Sequence, residues 1–411
     1  MKYINLLADM RSIGLSSPEE KMPEITDEPK IPGFLCFAND YTIKLYNVEG
    51  VLGQGFDINS ERARIKSLGE FLERLCLNNP LKERVKEKNI FHLNKDFINP
   101  ALFFCYSQTQ MPDKEQVIER MSGEKYSWYP VKDLLTGKER FVPAQMIFLS
   151  GTFDDEYPLR KEQTSSGAAF GSKNTGMAVK NGLLELIERD ASITSYLMKK
   201  EVPIITGFSG EIKTLLEYLK RYRLETYVLD ITNDINIPSI ISITLDRTGI
   251  GDAVSIGSRS DFDYNSAIKG AILESIQCRS TSRINRGVNG IDKISEEKIH
   301  TMSDRFEYWS NVDRLNDLDF WLNSDKFVNY EELPNRVVSI EEALNVLKSK
   351  NYNIFVADIS LPEIEDRGFE TVKVIIPQLH PLYLDERAKV LYSIHHGQIK
   401  DDPLLKPHPL T

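Results

Sequence analysis

Two short segments of this 411-residue chain repeat one another, and their shared pattern constrains the fold more than any other feature. Residues 67–75 (SLGEFLERL) and residues 182–190 (GLLELIERD) both contain Glu-x-x-Glu-Arg among apolar residues. Successive helical residues are about 100° apart, so the charged side chains of each segment share one edge of a helix and the apolar ones cover the rest. The sequence therefore predicts two amphipathic helices that present paired carboxylates.

A third segment, residues 266–279, places a carboxylate, an amide and a guanidinium at comparable helical spacing. Glu and Arg three or four residues apart are common on helix surfaces and contribute only tenths of a kcal/mol there, but these helices are too apolar to be wholly solvated. Oxygen ligands select hard cations such as Mg²⁺, which is usually bound together with substrate phosphates. The pattern predicts a Mg²⁺–nucleotide site whose metal ligands are Glu70, Glu73, Glu185, Glu188 and Glu274.

A small, polar, glycine-rich stretch, residues 164–176, leads into the second of these helices. Backbone amides of such a stretch approach phosphate oxygens closely because glycine lacks a side chain. The spacing of a Walker A loop is absent, so the sequence does not predict a P-loop enzyme.

The strings SLGEFLER, SSGAAFG followed by GLLELIERD, and ILESIQCR resemble, in order, the three nucleotide-binding motifs of the YcaO proteins. Residues 228–239, 357–360 and 368–377 are similar to core strands of that family, so the resemblance covers roughly residues 30 to 411. It implies an α/β (α+β mixed) ATP-binding fold with two pseudo-repeated halves, whose glutamates hold Mg²⁺ ions bridging the triphosphate. It also implies nucleotide contacts from Ser67, Arg74, Ser165, Ser166, Lys173, Arg189, Gln277 and Arg279.

The segment 403–411, Pro-Leu-Leu-Lys-Pro-His-Pro-Leu-Thr, is similar to the proline-rich ends of azoline-forming YcaO cyclodehydratases. Proline pre-sets an extended backbone. The resemblance gives Pro407, Pro409 and Thr411 a catalytic part, with the terminal carboxylate moving a proton. It implies an enzyme that uses ATP to phosphorylate a peptide amide oxygen, so that Cys, Ser or Thr side chains of a precursor peptide close into azolines, as in antibiotic biosynthesis of the thiazole/oxazole-modified microcin type.

No leader-binding domain precedes the YcaO-like region, so we interpret the chain as the discrete catalytic subunit, the D-protein of streptolysin- or microcin-type systems. The expected partners are the precursor peptide, a separate leader-binding protein (E1-like or ocin-ThiF-like), and a flavin-dependent azoline dehydrogenase. A homodimer or hetero-oligomer is expected.

Three alternatives stay open. A thioamide- or amidine-forming YcaO enzyme usually lacks the proline-rich end. A non-catalytic YcaO-like scaffold is motivated by Lys66, where relatives carry serine, and by Gly270, where they carry a basic residue. An unrelated metal-dependent hydrolase needs a water-activating base that the sequence does not display.

Composition narrows the class of protein further. The net charge of −10, from 51 basic and 61 acidic residues, argues against nucleic-acid binding by bulk electrostatics. The N-terminal sequence differs from a signal peptide and no run of 18 apolar residues occurs, which predicts a cytoplasmic protein without membrane contact. Four widely spaced cysteines predict reduced thiols without a zinc site.

The expected organisation is an irregular arm over residues 1–32 and one domain over 33–411. Helices are predicted at 60–78, 114–122, 176–200, 210–222 and 339–350. Strands are predicted at 138–144, 146–150, 226–231, 239–245, 353–358 and 371–376.

Overall fold

The computed structural model describes residues 8–48, 50–88, 96–150, 153, 155–160, 162, 164–289, 294–334 and 338–410. Helices and strands alternate along the chain, which confirms the predicted mixed α/β class. The strands are β1 Glu20–Lys21, β2 Gly33–Phe37, β3 Leu52–Phe56, β4 Lys86–Lys88, β5 Tyr126–Asp133, β6 Glu139–Pro143, β7 Ala168–Ser172, β8 Ile204–Thr206, β9 Leu224–Asp230, β10 Ser239–Asp246, β11 Val254–Ser260, β12 Phe327–Asn329, β13 Phe355–Asp358, β14 Phe369–Ile375, β15 Tyr392–Ser393 and β16 Gly397–Gln398.

Residues 8–12 are helical. The further α-helices of the described residues are α1 Asp40–Tyr46, α2 Ser60–Leu77, α3 Lys114–Gly123, α4 Met177–Leu197, α5 Gly210–Lys220, α6 Tyr264–Asn289, α7 Met302–Trp309, α8 Asp319–Leu322, α9 Ile340–Ser349 and α10 Pro362–Glu365. The three motif helices are α2, α4 and α6. The bounds of α2 and α4 lie within three residues of the predicted ones, whereas α6 is much longer than its motif. None of the described helices is both long and apolar enough to cross a bilayer.

The predicted strand at 146–150 is wrong. Residues 144–146 form a turn of 3₁₀ helix, and residues 147–150 pair with no strand. Ile147 and Phe148 are buried. A short apolar run shows burial without distinguishing a strand from an irregular core segment.

The chain divides into two compact units. The first contains residues 1–22, 31–186 and 351–378, and the second contains 23–30, 187–350 and 379–411. Helix α4 contributes residues to both units.

The first unit contains two sheets. One has the order β1-β2-β3, and the other has the order β4-β5-β13-β14-β7, with β6 paired to β5. Neighbouring strands in both are antiparallel. Fully buried aromatic side chains such as Trp128, Tyr129, Phe71 and Phe355 fill the core of this unit.

The second unit contains one five-stranded sheet with the order β11-β10-β9-β8-β12, and a small hairpin of β15 and β16. All eight residues of β10 are buried, as expected for the central part of a covered sheet. The α6 motif residues lie on the helix that packs against β11 and β10.

Glycine lets a strand approach a motif helix closely in each unit. In the first, a Cβ atom on Gly53 of β3 would lie 2.1 Å from the carbonyl oxygen of Ser67 in α2. In the second, a Cβ on Gly257 of β11 would lie 2.4 Å from the carbonyl oxygen of Ala271 in α6. Neither helix could stay in place if these glycines carried a side chain.

We predict that Gly53→Ala lowers the free energy of unfolding by about 1–3 kcal/mol or more, the range typical of overpacking. The reason is that backbone atoms must move to admit the methyl group. Gly123→Ala is the matched control, since a Cβ there meets nothing within 4 Å. Chemical denaturation followed by circular dichroism measures both. An unchanged midpoint for Gly53→Ala would show that β3 and α2 separate freely.

Candidate functional site

Three of the predicted metal ligands lie together in the first unit. Glu70 and Glu73 come from α2 and Glu185 comes from α4; we call them the first carboxylate cluster. The backbone N–H of Gln54 donates to Glu70 Oε2 at 2.7 Å, and the N–H of Gly167 donates to Glu185 Oε2 at 3.2 Å. The main chain therefore fixes two of the three carboxylates.

Two carboxylates of the first carboxylate cluster, Glu70 and Glu73, have raised pKa values, so a positive charge near them would be stabilising. Burial, the nearby Glu185 and Glu70, in that order, raise the pKa of Glu73 well above its ordinary value. Burial also raises the pKa of Glu70, although 26% of its side-chain surface is exposed and it pairs with Arg74 at 2.5 Å. Carboxylates that are crowded, partly accessible and reluctant to ionise are suited to bind a divalent cation.

A buried lysine in this cluster was missed by the sequence analysis. Lys373 of β14 is 3% exposed, and its Nζ donates to the carbonyl oxygen of Thr164 at 2.8 Å. Burial lowers its pKa to about 8, against the opposing charges of Glu185 and Glu73. The available signal was a single lysine inside an apolar strand, since a lysine is rarely buried without a charged partner.

The other two predicted metal ligands lie together in the second unit, where Glu188 of α4 and Glu274 of α6 form the second carboxylate cluster. The N–H of Ser258 in β11 donates to Glu274 Oε2 at 2.8 Å, and the Ser258 hydroxyl donates to Glu188 Oε1 at 2.8 Å. Arg189 lies beside Glu188, with Nη1 3.8 Å from Oε1. Ser258 also escaped the sequence analysis, since a serine in a strand carries no distinctive signal.

Burial and the charge of Glu188 raise the pKa of Glu274 to about 8, while Arg189 and Arg259 act in the opposite direction. The same local design thus occurs in both units. A residue that follows a glycine in a strand donates its N–H to a partly buried glutamate on the helix behind it.

Most of the predicted nucleotide-binding residues have local partners. Ser67 is buried and its hydroxyl donates to the carbonyl oxygen of Arg64 at 2.8 Å. Lys173 lies 3.8 Å from Glu365, with half of its side chain exposed. Ser165, Ser166 and Gln277 are partly exposed, and their contacts to a nucleotide stay a prediction.

Arg279 is the residue whose surroundings differ most from the expectation. It is 2% exposed and is paired with Glu28 at 2.6 Å and with Asp246 at 2.7 Å. It also donates to the carbonyl oxygen of Asp252 at 2.6 Å. Its guanidinium is committed to anchoring residues 23–30 of the second unit, and a nucleotide contact would have to compete with two carboxylates.

Residues 407–410 of the proline-containing tail are buried in the second unit. Trp309 Nε1 donates to the carbonyl oxygen of Pro407 at 3.0 Å, and the fully buried Arg305 donates to that of His408 at 2.5 Å. The Tyr196 hydroxyl donates to the carbonyl oxygen of Lys406 at 2.9 Å. Pro407 and Pro409 therefore lie in an ordered segment, whereas Thr411 lies outside the described residues.

We predict that removal of residues 407–411 strongly lowers the free energy of unfolding. The truncation leaves the buried donors of Trp309 and Arg305 without these acceptors, and each orphaned donor costs about 1–3 kcal/mol. Leu404→Ala is the control, because Leu404 belongs to the same segment and is 80% exposed. Differential scanning calorimetry compares the three proteins, and a truncated chain as stable as wild type would contradict the docking of the tail.

A pH dependence follows from Glu274. Its folded-state pKa of about 8 exceeds the ordinary value of 4.5, so its contribution to stability is complete below pH 4.5 and is lost as pH rises to about 8. In metal-free protein, Glu274→Gln should lose less stability over this interval than wild type, while Glu217→Gln, on an exposed side chain, should follow wild type. Urea denaturation at several pH values checks this, and parallel curves for all three proteins would count against the buried pair.

Comparisons with known proteins identify the family of this chain. The family model described as YcaO cyclodehydratase, ATP- and Mg²⁺-binding, matches residues 53–380. No curated protein sequence matches the chain significantly.

Similar solved structures include a heterocyclase in complex with substrate and cofactor, at 17% identity and a TM-score of 0.71 over 95% of this chain and 53% of that chain. YcaO from Methanopyrus kandleri bound with AMPPCP and Mg²⁺ matches at 19% identity and a TM-score of 0.66 over 98% and 94% of the two chains. The E. coli microcin synthetase McbBCD complex with pro-MccB17 bound matches at 15% identity and a TM-score of 0.63, over 88% of each chain.

At these identities the structural likeness shows the fold, and this chain spans about half the length of the heterocyclase. The family model, by contrast, covers well over half of this chain and includes all five glutamates. The chain belongs to the YcaO family, whose ligands are ATP and Mg²⁺.

Proposed function

We propose that this protein is an ATP- and Mg²⁺-dependent peptide cyclodehydratase that converts Cys, Ser or Thr residues of a ribosomal precursor peptide to azolines. The observation that carries the proposal is the pair of partly buried carboxylate clusters on the YcaO motif helices. In each, a strand N–H holds a glutamate whose pKa is raised by burial and by another carboxylate. Such clusters are costly unless a cation completes them.

The donor set fits Mg²⁺. All five predicted ligands offer carboxylate oxygens, which hard divalent cations prefer, and neither cluster contains a sulfur or imidazole ligand among its described members. We assign Glu70, Glu73 and Glu185 of the first unit and Glu188 and Glu274 of the second to the metal ions that accompany ATP. We assign to Lys373 and Arg189 the neutralisation of phosphate charge, because each lies beside these carboxylates.

The chemistry requires an amide oxygen to leave. When the side chain of a substrate Cys, Ser or Thr attacks the preceding amide carbon, the oxygen it displaces is a poor leaving group, and transfer of the ATP γ-phosphoryl group to that oxygen makes it depart as phosphate. The protein's task is to orient the peptide, to hold the phosphoryl acceptor close and to offset the negative charge.

Gly270 stands where YcaO relatives carry a basic residue, and this difference motivates the alternative of a non-catalytic scaffold. The structure places another basic side chain near this position. The side chain of Arg259 from β11 lies against Gly270, with Cγ 2.7 Å from where a Cβ would be. The charge of Arg259 also lowers the pKa of Glu274. A basic group from the strand therefore occupies the neighbourhood where relatives carry a basic residue on the helix, which favours an active enzyme.

The partners proposed from the family resemblance are a precursor peptide, a separate leader-binding protein and a flavin-dependent azoline dehydrogenase, in a cytoplasmic homodimer or hetero-oligomer. Solved relatives of this fold include a heterocyclase with bound substrate and a microcin synthetase assembled from several proteins. The proposed domain organisation is an N-terminal arm over residues 1–32 and a catalytic domain over 33–411. A thioamide- or amidine-forming reaction on the same nucleotide site is the second candidate, because it needs the same amide activation.

The nucleotide site is tested by Glu73→Gln, which keeps the shape of the side chain and removes its charge. We expect at least a 100-fold, or about 3 kcal/mol, weaker binding of Mg²⁺–ATP, since a loss of 10- to 100-fold is already typical of groups that only support a metal ligand. Glu61→Gln, an exposed residue in the first turn of α2, is the control. Isothermal titration calorimetry measures both, and equal affinities would remove Glu73 from the site.

The reaction is tested by mass spectrometry of a precursor peptide incubated with this protein, its leader-binding partner, ATP and Mg²⁺. We expect the loss of one water per modified Cys, Ser or Thr. Exchange of oxygen for sulfur that depends on added sulfide would establish thioamide formation instead. An unchanged peptide in the presence of normal ATP binding would support the scaffold.

A further inference from the structure

Two adjacent histidines and an aspartate converge in the second unit, away from the roles assigned above. His395 and His396 lie in the turn between β15 and β16, and Asp190 lies on α4. His395 Nδ1 is 2.9 Å and His396 Nε2 is 3.0 Å from the same oxygen, Asp190 Oδ2. The three atoms all lie within 4.8 Å of one another. Residues from two distant parts of the sequence therefore present two imidazole nitrogens and one carboxylate oxygen to a common point.

Hydrogen bonds with neighbouring residues hold Asp190 and His395 in position, as they usually hold metal ligands. Asp190 is fully buried, and its other oxygen, Oδ1, accepts the backbone N–H of His380 at 2.7 Å. His395 Nε2, the nitrogen that faces away from Asp190, is 2.8 Å from Asp234 Oδ1. A carboxylate on the far nitrogen of a ligating histidine fixes the orientation and tautomer of the ring. Asp234 is in turn paired with Lys350.

We propose that Asp190, His395 and His396 bind a transition-metal ion, with Zn²⁺ the best fit. Two imidazoles and one carboxylate are a ligand set that Zn²⁺ accepts and that Mg²⁺, which favours oxygen, does not. Zinc ligands at 2.0–2.1 Å from the ion are about 3.3 Å apart in a tetrahedral site. The observed separations from Asp190 are a few tenths of an ångström shorter, so small side-chain movements would admit the ion and leave a fourth position for water.

The alternative is a purely hydrogen-bonded cluster around Asp190. In that arrangement Asn233 Nδ2, at 2.9 Å, shares Oδ2 with both histidines, and the two imidazole rings lie with centroids 4.0 Å apart. Burial acts to lower the pKa of His395, but the hydrogen bonds to Asp190 and Asp234 and the charges of these carboxylates raise it overall. Metal binding exchanges the proton between His395 and Asp190 for the ion, which releases that proton to solvent.

The metal would connect α4 to the β15–β16 hairpin, which immediately precedes the docked tail. Its role would be to hold the C-terminal segment of the second unit in place. The site uses neither of the carboxylate clusters, so the inference does not depend on the proposed reaction.

Untagged protein, stripped with a chelator, is titrated with Zn²⁺ in the absence of ATP and with millimolar Mg²⁺ present. We expect one tightly bound equivalent, and X-ray absorption of the loaded protein should show two imidazole ligands. His395→Gln and His396→Gln should each weaken binding about 100-fold. His300→Gln is the matched control, since His300 also faces an aspartate, Asp385 at 3.3 Å, but has no second histidine in that contact.

The proposal fails if wild type retains no Zn²⁺, if Mg²⁺ displaces it, or if both glutamine variants bind as wild type does. If the variants fold poorly, the X-ray absorption spectrum of wild type decides alone, because ligation by oxygen only would place the ion on the glutamates. Calorimetry with Mg²⁺–ATP on metal-stripped protein separates the two sites, since loss of Zn²⁺ binding would leave nucleotide affinity unchanged.

Discussion

The site depends on a short-range steric constraint. In each unit, a glycine in a strand lies in contact with the backbone of a glutamate-bearing helix. At Gly53 and Gly257 no side chain could be accommodated. This closeness brings the N–H groups of Gln54 and Ser258 within hydrogen-bond distance of Glu70 and Glu274. A carboxylate held by the main chain has few alternative rotamers, so its geometry is set before any ligand arrives.

Preorganisation of this kind has an energetic cost that the apolar cores must offset. Burial raises the pKa values of Glu73 and Glu274, and carboxylates of the same cluster raise them further, Glu185 and Glu70 for Glu73 and Glu188 for Glu274. A raised carboxyl pKa means that the folded state disfavours the ionised form, through lost solvation and through repulsion between the charges. Such clusters are typical of binding sites, where a ligand relieves the repulsion. In this protein the stored repulsion is divided between two units that each have their own sheet and core.

The sequence was sufficient for the motif helices, because their apolar periodicity and repeated charges are local properties. It was also sufficient to nominate the five glutamates, which the structure groups by unit. It did not lead to Lys373 or Ser258, since their importance comes from contacts with residues distant in sequence, Thr164 for Lys373 and Glu188 for Ser258. The carboxylate partners of Arg279 were missed for the same reason: Glu28 is 251 residues away. A guanidinium on a helix edge looks identical in the sequence whether it contacts a phosphate or a buried carboxylate. The strand expected at 146–150 shows that burial alone does not fix backbone conformation.

The tail is held through its main chain and through two of its side chains. Tyr196, Trp309 and Arg305 all donate to carbonyl oxygens, those of Lys406, Pro407 and His408. The groove that recognises these carbonyl oxygens selects an extended path, and side chains of the tail add to the contact. His408 Nε2 lies 2.7 Å from the carbonyl oxygen of Tyr383, and Lys406 is paired with Glu296. None of these hydrogen bonds and ion pairs uses a proline ring, so homologous proteins that replace Pro407 or Pro409 can keep the docked end, and a search for a fixed proline pattern would overlook them. The lasting signature would instead be the indole, phenol and guanidinium donors that line the groove, which lie far upstream in the chain.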